Sequence, residues 1–169
     1  YAGDALAVGD FDNDGFDDPA VGIQGEASRA GAVGIAYGSP GGLSNTLVFD
    51  QADTGLGKVE AGDLFGYALA AGDFDGDGFD DLAVSAPGEA YGRGPQQAGY
   101  MAMVYGSATG LTMRGADGFD QGGLAAAYNF FGMSLAAGDF NADGRDDLAM
   151  GAPYDDTQAT NAGVVSVAY

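Results

Sequence analysis

Asp recurs at positions 1, 3, 5 and 9 of one loop pattern three times along the 169 residues, with a single Asn in its place, and each time Gly stands at position 6. The first loop supplies Asp10, Asp12, Asp14 and Asp18, with Gly15 at the bend. The second supplies Asp73, Asp75, Asp77 and Asp81, with Gly78. The third supplies Asp139, Asn141, Asp143 and Asp147, with Gly144. Alternating carboxylates gathered by a tight turn repel one another unless a cation sits between them. The Gly permits φ > 0, so the loop can fold its oxygens inward. The backbone carbonyl of position 7 (Phe16, Phe79 or Arg145) makes five ligand groups. A bidentate Asp at position 9, or a water, then reaches the 6–8 oxygens that Ca²⁺ takes. An all-oxygen, flexible cage puts Ca²⁺ ahead of Mg²⁺ or Mn²⁺, and three such sites are expected.

The competing reading, a solvated Asp-rich turn, is disfavoured by the threefold recurrence. An EF-hand loop begins the same way but needs a bidentate acid at position 12. That position holds Val21, Val84 and Met150. The EF-hand fails in all three copies, so position 9 must close each site as the chain enters a strand. Asp17, Asp80 and Asp146 at position 8 should point away from the ligands as solvated or turn-bonding acids. Phe11, Phe74 and Phe140 at position 2 should pack beneath the loops as core.

The composition narrows the chemistry further. Asp and Glu number 25 against 5 Lys and Arg, for a formal charge of −20. Nucleic acid is excluded as a partner because its binding rests on phosphate neutralisation by cations. Anionic membrane surfaces are disfavoured on the same ground, and no apolar run approaches a spanning length. Cysteine and histidine are absent, which removes disulfides, thiolate or imidazole zinc sites, and Cys- or His-based catalysis. Eleven of the acids are the proposed ligands, and three Ca²⁺ ions would bring −20 to −14.

The loops sit in a larger repeat. GDFDNDGFDDPAVGIQGE (9–26), GDFDGDGFDDLAVSAPGE (72–89) and GDFNADGRDDLAMGAPYD (138–155) are spaced by 63 and 66 residues. Each follows a small apolar stretch (GDALAV, GYALAA, GMSLAA) and precedes a β-like run ending in Tyr37, Tyr105 or Tyr169. GSPGGL (38–43) and VFDQ (48–51) recur as GSATGL (106–111) and GFDQ (118–121). Gly, Asp, Pro and Ser clusters divide each unit into four short strands, near 66–72, 80–86, 98–105 and 112–119 in the second. No stretch has convincing helical periodicity. Four-stranded units repeated at this length predict an all-β architecture of antiparallel propeller blades. The whole of 1–169 reads as one propeller segment: repeat 1 at 1–63, repeat 2 at 64–129, and repeat 3 at 130–169 without its last strand. About eleven strands are expected, as part of a larger propeller.

Taken together, these residues resemble the FG-GAP repeat, the blade unit of the integrin α-subunit β-propeller and of many bacterial secreted proteins. The two motifs stand as Phe65-Gly66 and Phe131-Gly132, then Ser85-Ala86-Pro87 and Gly151-Ala152-Pro153. The first unit departs from them with Ala2-Gly3 and Gly22-Ile23-Gln24, and the third loop has Asn141 for an Asp. The bacterial type, with its YGSxxGL segment, is the closer match. The resemblance implies Ca²⁺ loops between the first and second strands of each blade, on one rim. It also implies an extracellular (secreted or cell-surface) role in adhesion or partner binding through loops on the other face.

On that face Tyr91, Arg93, Gln96 and Tyr154 are the side chains best suited to contact a protein or glycan ligand. A non-catalytic, Ca²⁺-stabilised binding module is the leading expectation. The alternatives are a structural subunit that assembles with further copies or blades edge to edge into a ring or filament, and an accessory propeller of a secreted hydrolase. A paired-carboxylate enzyme is disfavoured, because Glu26, Glu89 and Asp155 recur at equivalent positions and therefore look architectural.

Overall fold

A computed structural model describes residues 3–25, 28–90, 97–122, 128–156 and 162–169. Among these residues the chain forms eleven strands and no α-helix. Blade 1 comprises β1 (Leu6–Gly9), β2 (Asp18–Gly22), β3 (Val33–Tyr37) and β4 (Ser44–Phe49). Blade 2 comprises β5 (Leu69–Gly72), β6 (Asp81–Ala86), β7 (Tyr100–Tyr105) and β8 (Thr112–Phe119). Blade 3 comprises β9 (Ser134–Gly138), β10 (Asp147–Ala152) and β11 (Val164–Ala168). All neighbours within a sheet run antiparallel and in sequence order. The first strands β1, β5 and β9 lie side by side, β5 between the other two, as the inner strands of propeller blades do.

Register is set where the acidic loops begin and end. Gly9 pairs with Asp18, Gly72 with Asp81, and Gly138 with Asp147, so each hairpin connection is the loop itself. The period-2 alternation of the strands then sends successive side chains to opposite blade faces. In blade 2, Leu82, Val84, Ala102 and Val104 turn toward blade 1, where they join Phe11, Val33, Ile35 and Phe49 in one core. Met101 and Met103 turn the other way and pack with Leu148, Met150 and Phe131 of the blade 3 segment. The core is therefore two seams between blades, rather than the interior of any one blade.

The position-2 phenylalanines follow this geometry. Phe11 is fully buried under blade 2, Phe74 packs partly into the second seam, and Phe140 is 53% exposed on the outer side of blade 3. The expectation that all three are core therefore fails at Phe140, because burial at this position comes from the following blade.

The two short motifs fasten one unit to its neighbours. Phe65 and Phe131 are buried, with their amides donating to Ala30 O (2.7 Å) and Ala98 O (2.9 Å) of the preceding blade. Burying each ring contributes about 1.5–3 kcal/mol. Phe65 meets Phe49 edge to face at 6.0 Å. Gly66 and Gly132 donate to Ser85 O (2.9 Å) and Gly151 O (3.0 Å) of their own blades. Gly3 makes the same bond to Gly22 O at 2.9 Å, so the departures in the first unit keep this contact.

Gly99 shows why a glycine stands just before the third strand: its φ is +91°, and a Cβ there would collide with the Phe131 backbone. Gly115 has the same φ but open space around it. Gly115→Ala should cost about 1–2 kcal/mol, from the left-handed conformation alone. Gly99→Ala should cost roughly 3 kcal/mol or more, because the overlap adds to that strain. Urea unfolding of the two variants beside the parent checks the difference, and equal losses would contradict this packing of Phe131.

Candidate metal centre

Each loop is organised by its first and last acids. Asp10 accepts the amides of Asp14 (3.0 Å) and Gly15 (2.9 Å). Asp73 accepts those of Gly76 (2.7 Å), Asp77 (3.1 Å) and Gly78 (3.0 Å). Asp139 accepts those of Asp143 (3.1 Å) and Gly144 (3.0 Å). The chain thus wraps around the position-1 carboxylate, and Gly15, Gly78 and Gly144 adopt the required positive φ of +89° to +92°.

Position 9 closes the loop from within the fold. Asp18, Asp81 and Asp147 are at most 1% exposed. Each accepts the position-2 amide: Phe11 at 2.9 Å, Phe74 at 3.1 Å and Phe140 at 2.7 Å. The second oxygen of Asp18 and of Asp81 takes the amide of Gly38 (2.6 Å) and Gly106 (2.9 Å), just after the third strand.

In the first two loops these acids converge. Carboxylate oxygens of Asp10, Asp12 and Asp18 lie within 4.8 Å of one another, as do those of Asp73, Asp75 and Asp81. Asp12 Oδ1 is buried and meets no hydrogen-bond donor. Burial pushes the Asp18 carboxyl up, with Asp12 and Asp10 adding repulsion. Burial likewise carries Asp81 up to about 6, against the hydrogen bond from Gly106 and with repulsion from Asp75 and Asp77. Asp12 is raised by burial and then by Asp14 and Asp10. These are acidic clusters able to hold a metal ion.

The position-5 acids Asp14 and Asp77 stand at the exposed loop tips, outside the converging sets, and accept the amides of Phe16 (2.9 Å) and Phe79 (3.0 Å). Asp143 does the same for Arg145 at 2.9 Å. These bonds place the position-7 residues on the turn.

The third loop differs. Asn141 Nδ2 donates to Asp143 Oδ2 at 2.9 Å and to Asp147 Oδ1 at 3.5 Å, so an amide already stands among its carboxylates. The backbone bond from Arg145 and the side-chain bond from Asn141 hold Asp143 below the usual carboxylate range.

The position-8 acids correct the sequence reading. Asp80 Oδ2 accepts the Asp10 amide at 2.8 Å, and the Asp80 amide donates back to Asp10 O at 3.2 Å. Asp146 repeats the exchange with Asp73, at 3.2 Å and 2.9 Å. Rather than solvated or turn-bonding acids, these two are clasps that tie position 1 of one loop to the loop of the next blade. Asp17 is exposed. The recurrence of Asp at position 8 was the only signal in the sequence, since residues about 70 apart must meet.

Tyr154 is 48% exposed, and its ring packs edge to face on Phe130 at 5.7 Å. Tyr91, Arg93 and Gln96 lie outside the described residues, as does Glu26. Glu89 and Asp155 are buried and bonded across the blade junctions, to Gln51 (2.7 Å) and Gln121 (3.1 Å) respectively. That agrees with an architectural role.

With this geometry in hand, a family model for the FG-GAP repeat matches residues 65–100 and 131–167. The chain carries FG-GAP repeats. Integrin alpha-PS2 of Drosophila melanogaster is 32% identical over 164 residues, which are 92% of this chain and 11% of that protein. Integrin alpha-V of Gallus gallus is 32% identical over 160 residues, covering 91% of this chain and 14% of that protein. Integrin alpha pat-2 of Caenorhabditis briggsae is 37% identical over 107 residues, 62% and 8% of the two chains. The FG-GAP segment thus spans about a tenth of the length of these curated relatives. Among the described residues, no helix is long and apolar enough to cross a membrane.

The raised carboxyls of the FG-GAP loops set a pH dependence. Asp81, and Asp63 at the first blade junction, stand near 6 in the fold against an ordinary 3.8. A raised carboxyl favours the fold in its neutral form. Its contribution is therefore fully present below about pH 4 and is lost as pH rises through about 6. In chelator, the melting temperature should rise as pH is lowered from 7 to 5. A thermal scan at each pH checks this, and a fall over that window would contradict it.

Proposed function

We propose that the chain is a Ca²⁺-binding, extracellular β-propeller module that binds a protein or glycan partner and has no catalytic site. Integrin-α-like FG-GAP repeats support a binding or adhesion module. The observation that carries the metal reading is Asp12 Oδ1. This carboxylate has a buried oxygen without a donor and an oxygen within 4.8 Å of two further carboxylates, an arrangement that calls for a cation. The proposed ligands are the acids at positions 1, 3, 5 and 9 and the carbonyls of Phe16, Phe79 and Arg145, with Asn141 in the third loop. Because Asn141 lowers the negative charge and already serves as a donor there, the third loop is the weakest of the three. The partner face is assigned to the rim opposite the loops, where Tyr154 stands exposed.

A thermal shift series tests the metal. At a hundredfold excess over Kd, each Ca²⁺ stabilises by about 2.7 kcal/mol. For a chain of this size that is roughly 5–11 °C per site. Asp12→Asn and Asp75→Asn should each weaken one site tenfold or more, and Asn141→Asp should tighten the third. The absence of any shift with Ca²⁺ or chelator would overturn the reading.

A second reading concerns association with a further blade, of this chain or of another copy. A groove of about 590 Å³ on blade 3 is lined by Met133, Ser134, Ala162, Gly163 and Val164 among others. Ala162 and Gly163 correspond to Ala98 and Gly99, the seat of Phe131. Val165 (71% exposed) and Val167 (38%) occupy the positions of Met101 and Met103, which face blade 3. The groove therefore matches the Phe seat of another FG-GAP blade. Sedimentation across a concentration series should show association that Val165→Glu abolishes, unless the groove is filled within the same polypeptide. In that case the same substitution lowers the melting temperature instead. No effect on either quantity would contradict this docking.

A further inference from the structure

The junction of blades 1 and 2 holds another acidic cluster, on the rim opposite the loops. Gln51 follows β4, Asp63 precedes β5 and Glu89 follows β6, so the topology brings all three to that rim. They are 1%, 4% and 5% exposed, while Glu60 is exposed at the mouth. Carboxylate oxygens of Glu60, Asp63 and Glu89 lie within 4.8 Å of one another. Gln51 is aimed into this cluster, donating from Nε2 to Glu89 Oε2 at 2.7 Å. The other atom of the same amide, Oε1, is buried and meets no donor.

The next junction shows how the same arrangement satisfies itself. Its equivalents are Gln121, Asn129 and Asp155. Asn129 Nδ2 donates to Gln121 Oε1 at 2.9 Å and to Asp155 Oδ2 at 2.8 Å, and Gln121 Nε2 donates to Asp155 Oδ2 at 3.1 Å. One carboxylate is held by two amides, and the Gln oxygen has its donor. At the first junction Asp63 stands in the place of Asn129. An ionised carboxylate has no proton to give, so Gln51 Oε1 loses its donor while a second buried negative charge enters. Burial pushes Asp63 up to about 6, and the neighbouring charges that act on it, Glu89 and Glu60, are both negative. Burial also raises Glu89.

We propose that Gln51 Oε1, Asp63 and Glu89, with Glu60 at the mouth, form an additional inter-blade Ca²⁺ site, separate from the three loops. Three carboxylates and a neutral amide oxygen are a hard, all-oxygen donor set, which suits Ca²⁺. The cation supplies at this junction what Asn129 Nδ2 supplies at the next: a positive partner shared by the Gln oxygen and the acids. The donors are already held in place. The Glu60 amide donates to Asp63 Oδ2 at 2.6 Å, the Gly88 amide to Asp63 O at 3.0 Å, and Thr54 Oγ1 to Gln51 O at 2.6 Å. An ion there joins the end of β4 in blade 1 to the segments flanking β5 and β6 in blade 2.

Equilibrium dialysis with ⁴⁵Ca²⁺ on the intact protein tests the site by counting ions per chain. Asp63→Asn rebuilds the amide arrangement of the second junction, so it should fold and bind one ion fewer than the parent. Its melting temperature in chelator should equal or exceed that of the parent, because a buried repulsion has gone. Asp75→Asn should remove a loop ion instead, and the double variant should lose two. An Asp63→Asn protein that binds as many ions as the parent would overturn the site whatever the loops do. That outcome would assign the balance at Gln51 Oε1 to a proton on Asp63.

Discussion

A buried carboxylate at the start of the second strand is the constraint around which each blade is arranged. Asp18, Asp81 and Asp147 sit at the entry to β2, β6 and β10, shielded from water, and each holds the position-2 amide of its own loop. Burying an ionised acid costs several kcal/mol unless hydrogen bonds and a counter-charge offset it. Backbone amides supply the hydrogen bonds. Among the described residues, the charges that act most on the Asp18 and Asp81 carboxyls are other acids. Under the proposed function, a cation from outside the chain supplies that counter-charge, with the surrounding acids as its cage.

The same loops connect the blades. Asp10 and Asp73 are the proposed first ligands of their own loops and also the partners of Asp80 and Asp146 in the next. A cation that draws in Asp10 therefore acts on the rim of blade 2 as well. The hydrophobic seams run beside these clasps, with Phe11 beneath the first and Phe74 at the second. The acidic loops and the blade packing are in this way parts of one interface, and the opposite rim is fastened separately by Gln51–Glu89 and Gln121–Asp155.

Much of this was legible in the residues themselves. The D-x-D-x-D-G-x-x-D spacing placed every loop, and the turn clusters placed the strands to within two or three residues. What stayed hidden were contacts between blades. Asp80 and Asp146 look like surplus acids in a one-dimensional reading, because their partners lie 70 and 73 positions away. Phe140 has the same local sequence context as Phe11, yet only Phe11 has a blade lying over it. The equivalence of Asp63 and Asn129 carries no meaning in one dimension for a related reason. A single Asp for Asn exchange before a Phe-Gly motif matters only once Gln51 and Glu89 are known to face it.

The central claim is that an external cation completes the loop cages. Anomalous diffraction from crystals grown with Ca²⁺ tests it most directly. Strong peaks are expected among Asp10, Asp12 and Asp18 and among Asp73, Asp75 and Asp81, at oxygen distances of about 2.4 Å, with a weaker peak in the third loop. Loops that keep this arrangement of carboxylates with no peak at saturating Ca²⁺ would contradict it.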